Sequence, residues 1–124
     1  METARLEEMV YSALKNNTEL MELLANGESS IFHLKAPAVD PAFPYLVYTP
    51  ISDVPNLFGD NKEFLHRVTI RIHIVTGDED YFEPYSVVKN IMVDLGFTRL
   101  QATPFIDEHN IRMLIVDFKI ITGG

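Results

Sequence analysis

His33, His66, His73 and His109 are the side chains of this sequence best suited to ligate a metal or move a proton near neutral pH. No two of them stand four apart, the spacing that would set a pair on one helix face, and the chain has no cysteine to complete a thiolate site or a disulfide. In a continuous strand His66 and His73 differ in parity and point to opposite faces, so they cannot share an ion there. Ordinary surface or edge positions account for all four. Ser52-Asp53 puts a hydroxyl beside a carboxylate, but no glycine flanks the serine as a nucleophile elbow requires, and an aspartate there is a turn former. The glycines at Gly27, Gly59, Gly77, Gly96, Gly123 and Gly124 are too scattered to cradle a phosphate. These residues specify no catalytic group, no metal site and no cofactor site. The one enzymatic arrangement left open gathers Tyr45, Tyr48, Arg71 and His73 around a pocket.

The elements that would position such residues follow from periodicity. Leu6, Met9, Val10, Ala13 and Leu14 recur at helical spacing between Thr3 and Lys15, while Glu7, Glu8, Ser12 and Lys15 take the other side, which predicts a surface helix with one buried stripe. Asn16-Asn17-Thr18 interrupts it, and Thr18 is expected to cap a second short helix bearing Leu20, Met21, Leu23 and Leu24 before Asn26-Gly27. Ser30 to Lys35 reads as a strand, followed by a loop that Pro37 and Pro41 keep out of helix. Tyr45 to Thr49 is the next strand, and Pro50 places its far end at an edge or ends it there.

From Arg67 to Val75 the alternation is strict. Val68, Ile70, Ile72 and Ile74 share one face, and Arg67, Thr69, Arg71 and His73 share the other, the pattern of a strand with one side on the core. Tyr81, Tyr85, Val88, Ile91, Met92 and Leu95 then follow a helical period, with Pro84 in the first turn, Gly96 as a left-handed cap and Phe97 packing back. The acidic run Asp78-Glu79-Asp80 with Glu83 suits a solvated helix start. Thr98 to Thr103 and Ile111 to Ile121 are predicted strands joined by a turn at Asp107-Glu108-His109-Asn110. In the last strand Met113, Ile115, Asp117 and Lys119 form a mixed face that is expected to be partly buried or to meet a partner. The order predicts one α+β domain over residues 1–124: two layers, with a mixed, mainly antiparallel sheet of about five strands and two main helices on it.

Composition narrows the function. With 47% hydrophobic residues, 124 residues suffice for one core, no apolar run of about 18 residues predicts a membrane span, and the acidic start of the chain is unlike a signal peptide, so a cytoplasmic protein is expected. The net charge of -8 repels phosphate backbones and argues against sequence-specific nucleic-acid binding. What stands out instead is a loop at about 52–65 without periodicity of its own. Val54, Pro55, Leu57, Phe58, Asp60 and Phe64 are its candidate partner-binding residues, because the Leu57-Phe58 pair is costly to leave in water. The pair could also tuck into the loop's own small core.

Taken together, the Leu20-Met21-Glu22-Leu23-Leu24 end of the helical start, Ala36-Pro37, Pro44-Tyr45-Leu46-Val47-Tyr48, Ile51-Ser52-Asp53-Val54-Pro55, Arg67-Val68-Thr69-Ile70 and Leu95-Gly96-Phe97 resemble the tail-completion or tail-to-head joining family of long-tailed bacteriophages. The resemblance covers nearly the whole chain. It implies a structural protein and not an enzyme: a homo-oligomeric ring, commonly of six subunits, that caps the tail tube. Its partners would be the tail-tube protein and the head-connector protein, with no membrane, in the host cytoplasm during assembly and then in the virion tail. A small soluble α+β enzyme, or a regulatory module dimerising through a sheet edge, are the readings from other classes.

Overall fold

The computed structural model describes residues 2–37, 41–55 and 65–123. Helix α1 (Glu2–Lys15) buries Leu6, Val10 and Leu14, the stripe its sequence period requires, with Met9 and Ala13 packed at the margin. Helix α2 (Thr18–Leu23) starts one residue earlier in its cap than expected. Asn17, not Thr18, is extended, and its side-chain oxygen accepts the Leu20 N–H at 2.8 Å. A 3-10 turn (Gly27–Ser30) follows, in which Ser30 is buried and its Oγ accepts the Asn26 N–H.

The strand expected from Ser30 to Lys35 is therefore only β1 (Ile31–His33). The turn claims Ser30 at one end, and Leu34 takes a left-handed φ of 74° at the other, which no extended strand tolerates. Strand β2 (Tyr45–Pro55) is longer than expected: it runs through Pro50, and of the two readings of that proline the edge position holds, since β1 pairs with β2 only from Leu46 to Tyr48. The Tyr48 carbonyl accepts from Leu34 N–H on the β1 side, so by alternation the position of Pro50 that lacks an N–H also faces that side. The ladder to β3 loses nothing. Consequently Val54 and Pro55 belong to a strand and not to the loop, and residues 56–64 lie outside the described residues.

Strand β3 (Leu65–Gly77) is central in a five-stranded open sheet of order β1-β2-β3-β5-β4, with helix α3 (Phe82–Asp94) between β3 and β4 (Thr98–Ile106), and β5 (Arg112–Gly123) last. Only β1 and β2 are parallel. Val68, Ile70, Ile72 and Ile74 are fully buried against Val10, Leu14, Leu20, Val88 and Met92 of the helices, and Leu46, Leu114, Val116 and Phe118 extend the same core across neighbouring strands. Each such side chain contributes about 1.5–3 kcal/mol on full burial.

Two glycines are required by geometry. Gly77 closes β3 at φ 72°, and a Cβ there would come within 2.7 Å of the Phe43 ring. Gly96, at φ 101°, turns the chain out of α3, and the Phe97 N–H returns to the Met92 carbonyl while its ring is buried.

Candidate assembly surfaces

All three helices pack on one face of the sheet, and among the described residues no helix lies on the other. That open face is organised by register. Arg71 stands opposite Asp117, and Asp117 opposite Gln101, so one row of side chains crosses β3, β5 and β4. Arg71 Nε donates to Asp117 Oδ1 at 2.8 Å and its Nη2 to Oδ2 at 3.2 Å, while Gln101 Nε2 donates to Oδ2 at 2.9 Å. The Asp117 side chain is only 5% exposed against 37% for Arg71, so the carboxylate is the buried partner of a bidentate pair. Arg71 holds the Asp117 carboxyl below the usual carboxylate range and Gln101 adds to this, against the opposing cost of burial.

Two residues along β3 on the same face, His73 stands opposite Val47 and Ile115. Its Nδ1 is buried with no hydrogen-bond partner among the described residues. Burial pushes its imidazole below the ordinary value, and the Arg71 charge adds to that. An open cavity of about 240 Å³ lies here, lined by Leu34, Ala36, Val47, Val75 and Met113, with His73, Lys35 and Tyr45 as its side chains bearing polar groups. Arg71 does not line it, and Tyr48 is on the helix side, where it stacks against Tyr11 and His33. Burial first, then Glu7 and Tyr11, push its phenol up. The sheet itself thus separates Tyr48 from Tyr45, Arg71 and His73, and the four-residue pocket left open by the sequence does not form.

The other chemical candidates scatter as well. His33 pairs with Glu7 of α1, His66 Nδ1 lies 3.1 Å from Asp53 Oδ1, and His109 lies beside Glu108 in the β4–β5 turn. Ser52 stands opposite Thr69 and Asp53 opposite Val68, so this hydroxyl and carboxylate take opposite faces. Among the described residues no three His, Asp or Glu side chains come together as a metal site. No helix is long and apolar enough to cross a membrane, again among the described residues.

Of the partner-binding residues read from the sequence, Val54 is half-buried on β2 opposite Arg67, and Pro55 ends that strand opposite His66. Leu57, Phe58, Asp60 and Phe64 lie outside the described residues. The sequence reading missed the edges' own apolar side chains. Strand β4 is an edge strand, exposed at every position but Ala102, with Leu100, Phe105 and Ile106 each about half exposed or more. On the opposite side, β1 covers β2 only from Leu46 to Tyr48, and among the described residues no strand pairs with the stretch that carries Ile51. Alternation could not flag Ile51 or Leu100, because each is the extra residue at a register shift.

The helices expose Glu8, Glu19, Glu22, Glu83 and Asp94 together with Arg5 and Lys89, an acidic balance. The open face carries Arg67, Arg71 and Lys119, with Asp117 its one carboxylate among the described residues.

Among the described residues the fold is an α+β sheet with helices on one face only and exposed apolar side chains near both edges. A sequence-family model described as tail completion protein gp17 matches residues 8–119, and the chain belongs to that family. It is a phage tail completion protein, a component of the virion tail that assembles with other tail and head proteins. No curated protein matches the sequence.

Proposed function

We propose that this chain acts as one domain whose copies close into a ring at the end of the tail tube, ending tube growth and presenting a docking face to the head connector. The observation that carries this reading is the family match over residues 8–119, and the open sheet with two uncovered apolar edges supports it. Such edges suit a subunit flanked on both sides by neighbours. The net charge of -8 suits a conduit through which DNA must slide without being held. Assembly takes place in the host cytoplasm, and the work is structural and not catalytic.

We further propose that residues 56–64 contribute an assembly contact through Leu57 and Phe58, on the sequence argument alone. Electron microscopy of tails produced with and without this chain tests the ring. Tails with the chain are expected to end in a ring and join heads, and tails without it to stay headless or grow to irregular lengths. Headed tails of normal length in its absence would overturn the reading.

A further inference from the structure

The two edges of the sheet resemble each other in three ways that a lone subunit does not explain. Each carries a β-bulge whose extra residue is an exposed aliphatic side chain, Ile51 on β2 at 42% and Leu100 on β4 at 49%. Bulges re-aim a side chain, and here both aim one into solvent. Each edge also carries a proline whose missing N–H lies on the outer side: Pro50, by the alternation from Tyr48, and Pro104, because the Asp107 N–H bonds inward to the Ile111 carbonyl and alternate residues face out. Each is flanked by further exposed apolar side chains. Phe105 and Ile106 stand at 50% and 59% on β4, while Leu34 lies at 57% on the β1 side. A hollow of about 340 Å³ at the β4 side is framed by Tyr81, Pro104, Phe105 and Ile106, with Asp80 and Arg112 at its rim.

We infer that the β4–α3 side of one subunit packs against the open β2 edge of a second copy, through Leu100, Phe105 and Ile106 on one side and Ile51 on the other. This deepens the ring reading and rests on it. The occupant is a second copy because the apolar patches sit at opposite edges of one sheet: a two-fold dimer would cover one and leave the other in water, whereas head-to-tail contact covers both. The prolines argue against an extended peptide added as a further strand, since each interrupts the outward row of donors that such a strand would need. The contact is therefore made by side chains and not by a continuous ladder.

The chain's lack of cysteine makes the test clean. Ile51→Cys with Leu100→Cys in one chain, treated with a short bis-maleimide during tail assembly, is expected to give a ladder of covalent multimers. Neither single variant should give more than traces of dimer. Ile51→Asp, a surface change that leaves the thermal transition in place, should cut incorporation into tails at least about tenfold. Efficient dimers from Leu100→Cys alone would mean a two-fold contact and overturn the inference. Rings seen by microscopy without any 51–100 cross-link would overturn the inference while leaving the ring reading intact. Tails with no ring at all would remove both.

Discussion

The two faces of β3 are built from alternate residues of one strand and solve opposite problems. On the helix side, Val68, Ile70, Ile72 and Ile74 are wholly buried in the core formed with the three helices and the neighbouring strands. On the open side, Arg67, Thr69, Arg71 and His73 meet a mixture of aliphatic chains and one ion pair, and several remain partly in water. The helix side specifies the fold by volume, where any charge is ruinous. The open side spends part of its area on a hydrogen-bonded row that needs correct register across three strands, which leaves a surface usable by a neighbour.

The largest effect should come from breaking the first face. Ile72→Asp would place an unpaired carboxylate among fully buried aliphatic groups, at a cost above about 4 kcal/mol, enough to unfold a domain of ordinary stability. The matched change on the other face, Ile115→Ser, removes a half-buried side chain and should cost about 1 kcal/mol. Urea unfolding of both variants checks the contrast. A cooperative transition for Ile72→Asp near that of the parent would show that the two faces are not distinguished in this way.

The next effect belongs to the Arg71–Asp117–Gln101 row. Asp117→Ala leaves a partly exposed guanidinium and an amide without their acceptor, and should cost about 1–3 kcal/mol, less than a fully buried pair because water reaches Arg71. Arg71→Met in the same chain should recover part of that loss, giving a coupling energy in a double-mutant cycle. Simple additivity would mean the row contributes geometry but little stability.

Titration separates two members of the open face. Both His73 and Asp117 have folded values below their ordinary ones, so each supports the folded state above its unfolded value and loses that support as pH falls through the folded value. For His73 the decline starts near about pH 6.5, and for Asp117 only below about pH 4. Parent stability should therefore fall in two stages on acidification. His73→Leu should flatten the upper stage alone, and a parent curve level between pH 7 and 5 would contradict the burial assigned to His73.

How much of this was legible in the sequence depends on whether the deciding contact was local. The β3 alternation, the α1 stripe and the Gly96–Phe97 helix end are set by neighbours a few residues apart, and each is where periodicity places it. Pro50 left two readings open in the sequence, an edge position or a strand end; the choice between them depends on which side β1 covers and how far, because a proline breaks a strand only where its N–H is needed. Asp117 was read as part of a mixed face, yet its burial comes from Arg71 and Gln101, 46 and 16 residues away. Ile51 and Leu100 were hidden by bulges that shift the period. Of the proposed loop site, Val54 and Pro55 belong to β2, and the remaining residues were named from composition alone.

The smallest change in stability, and the sharpest test of where the surface serves assembly, is expected from Leu57→Ser with Phe58→Ser. On the loop reading of the sequence neither side chain belongs to the core, and loop-closure cost moves by only about 0.6 kcal/mol per doubling of length, so even replacing Pro55 to Lys62 with a short glycine-serine link should leave the urea midpoint nearly unchanged. Buried against a partner, the same two side chains would each add about 1–3 kcal/mol, so their loss should abolish head joining while Ile51→Asp, by the edge contact, lowers incorporation itself at least about tenfold. Comparing the two variants in assembled tails separates a contact between subunits from a contact with the head or tube. Parental yields of headed particles from the Leu57→Ser, Phe58→Ser chain would remove residues 56–64 from the docking surface and leave the sheet edges as the assembly elements.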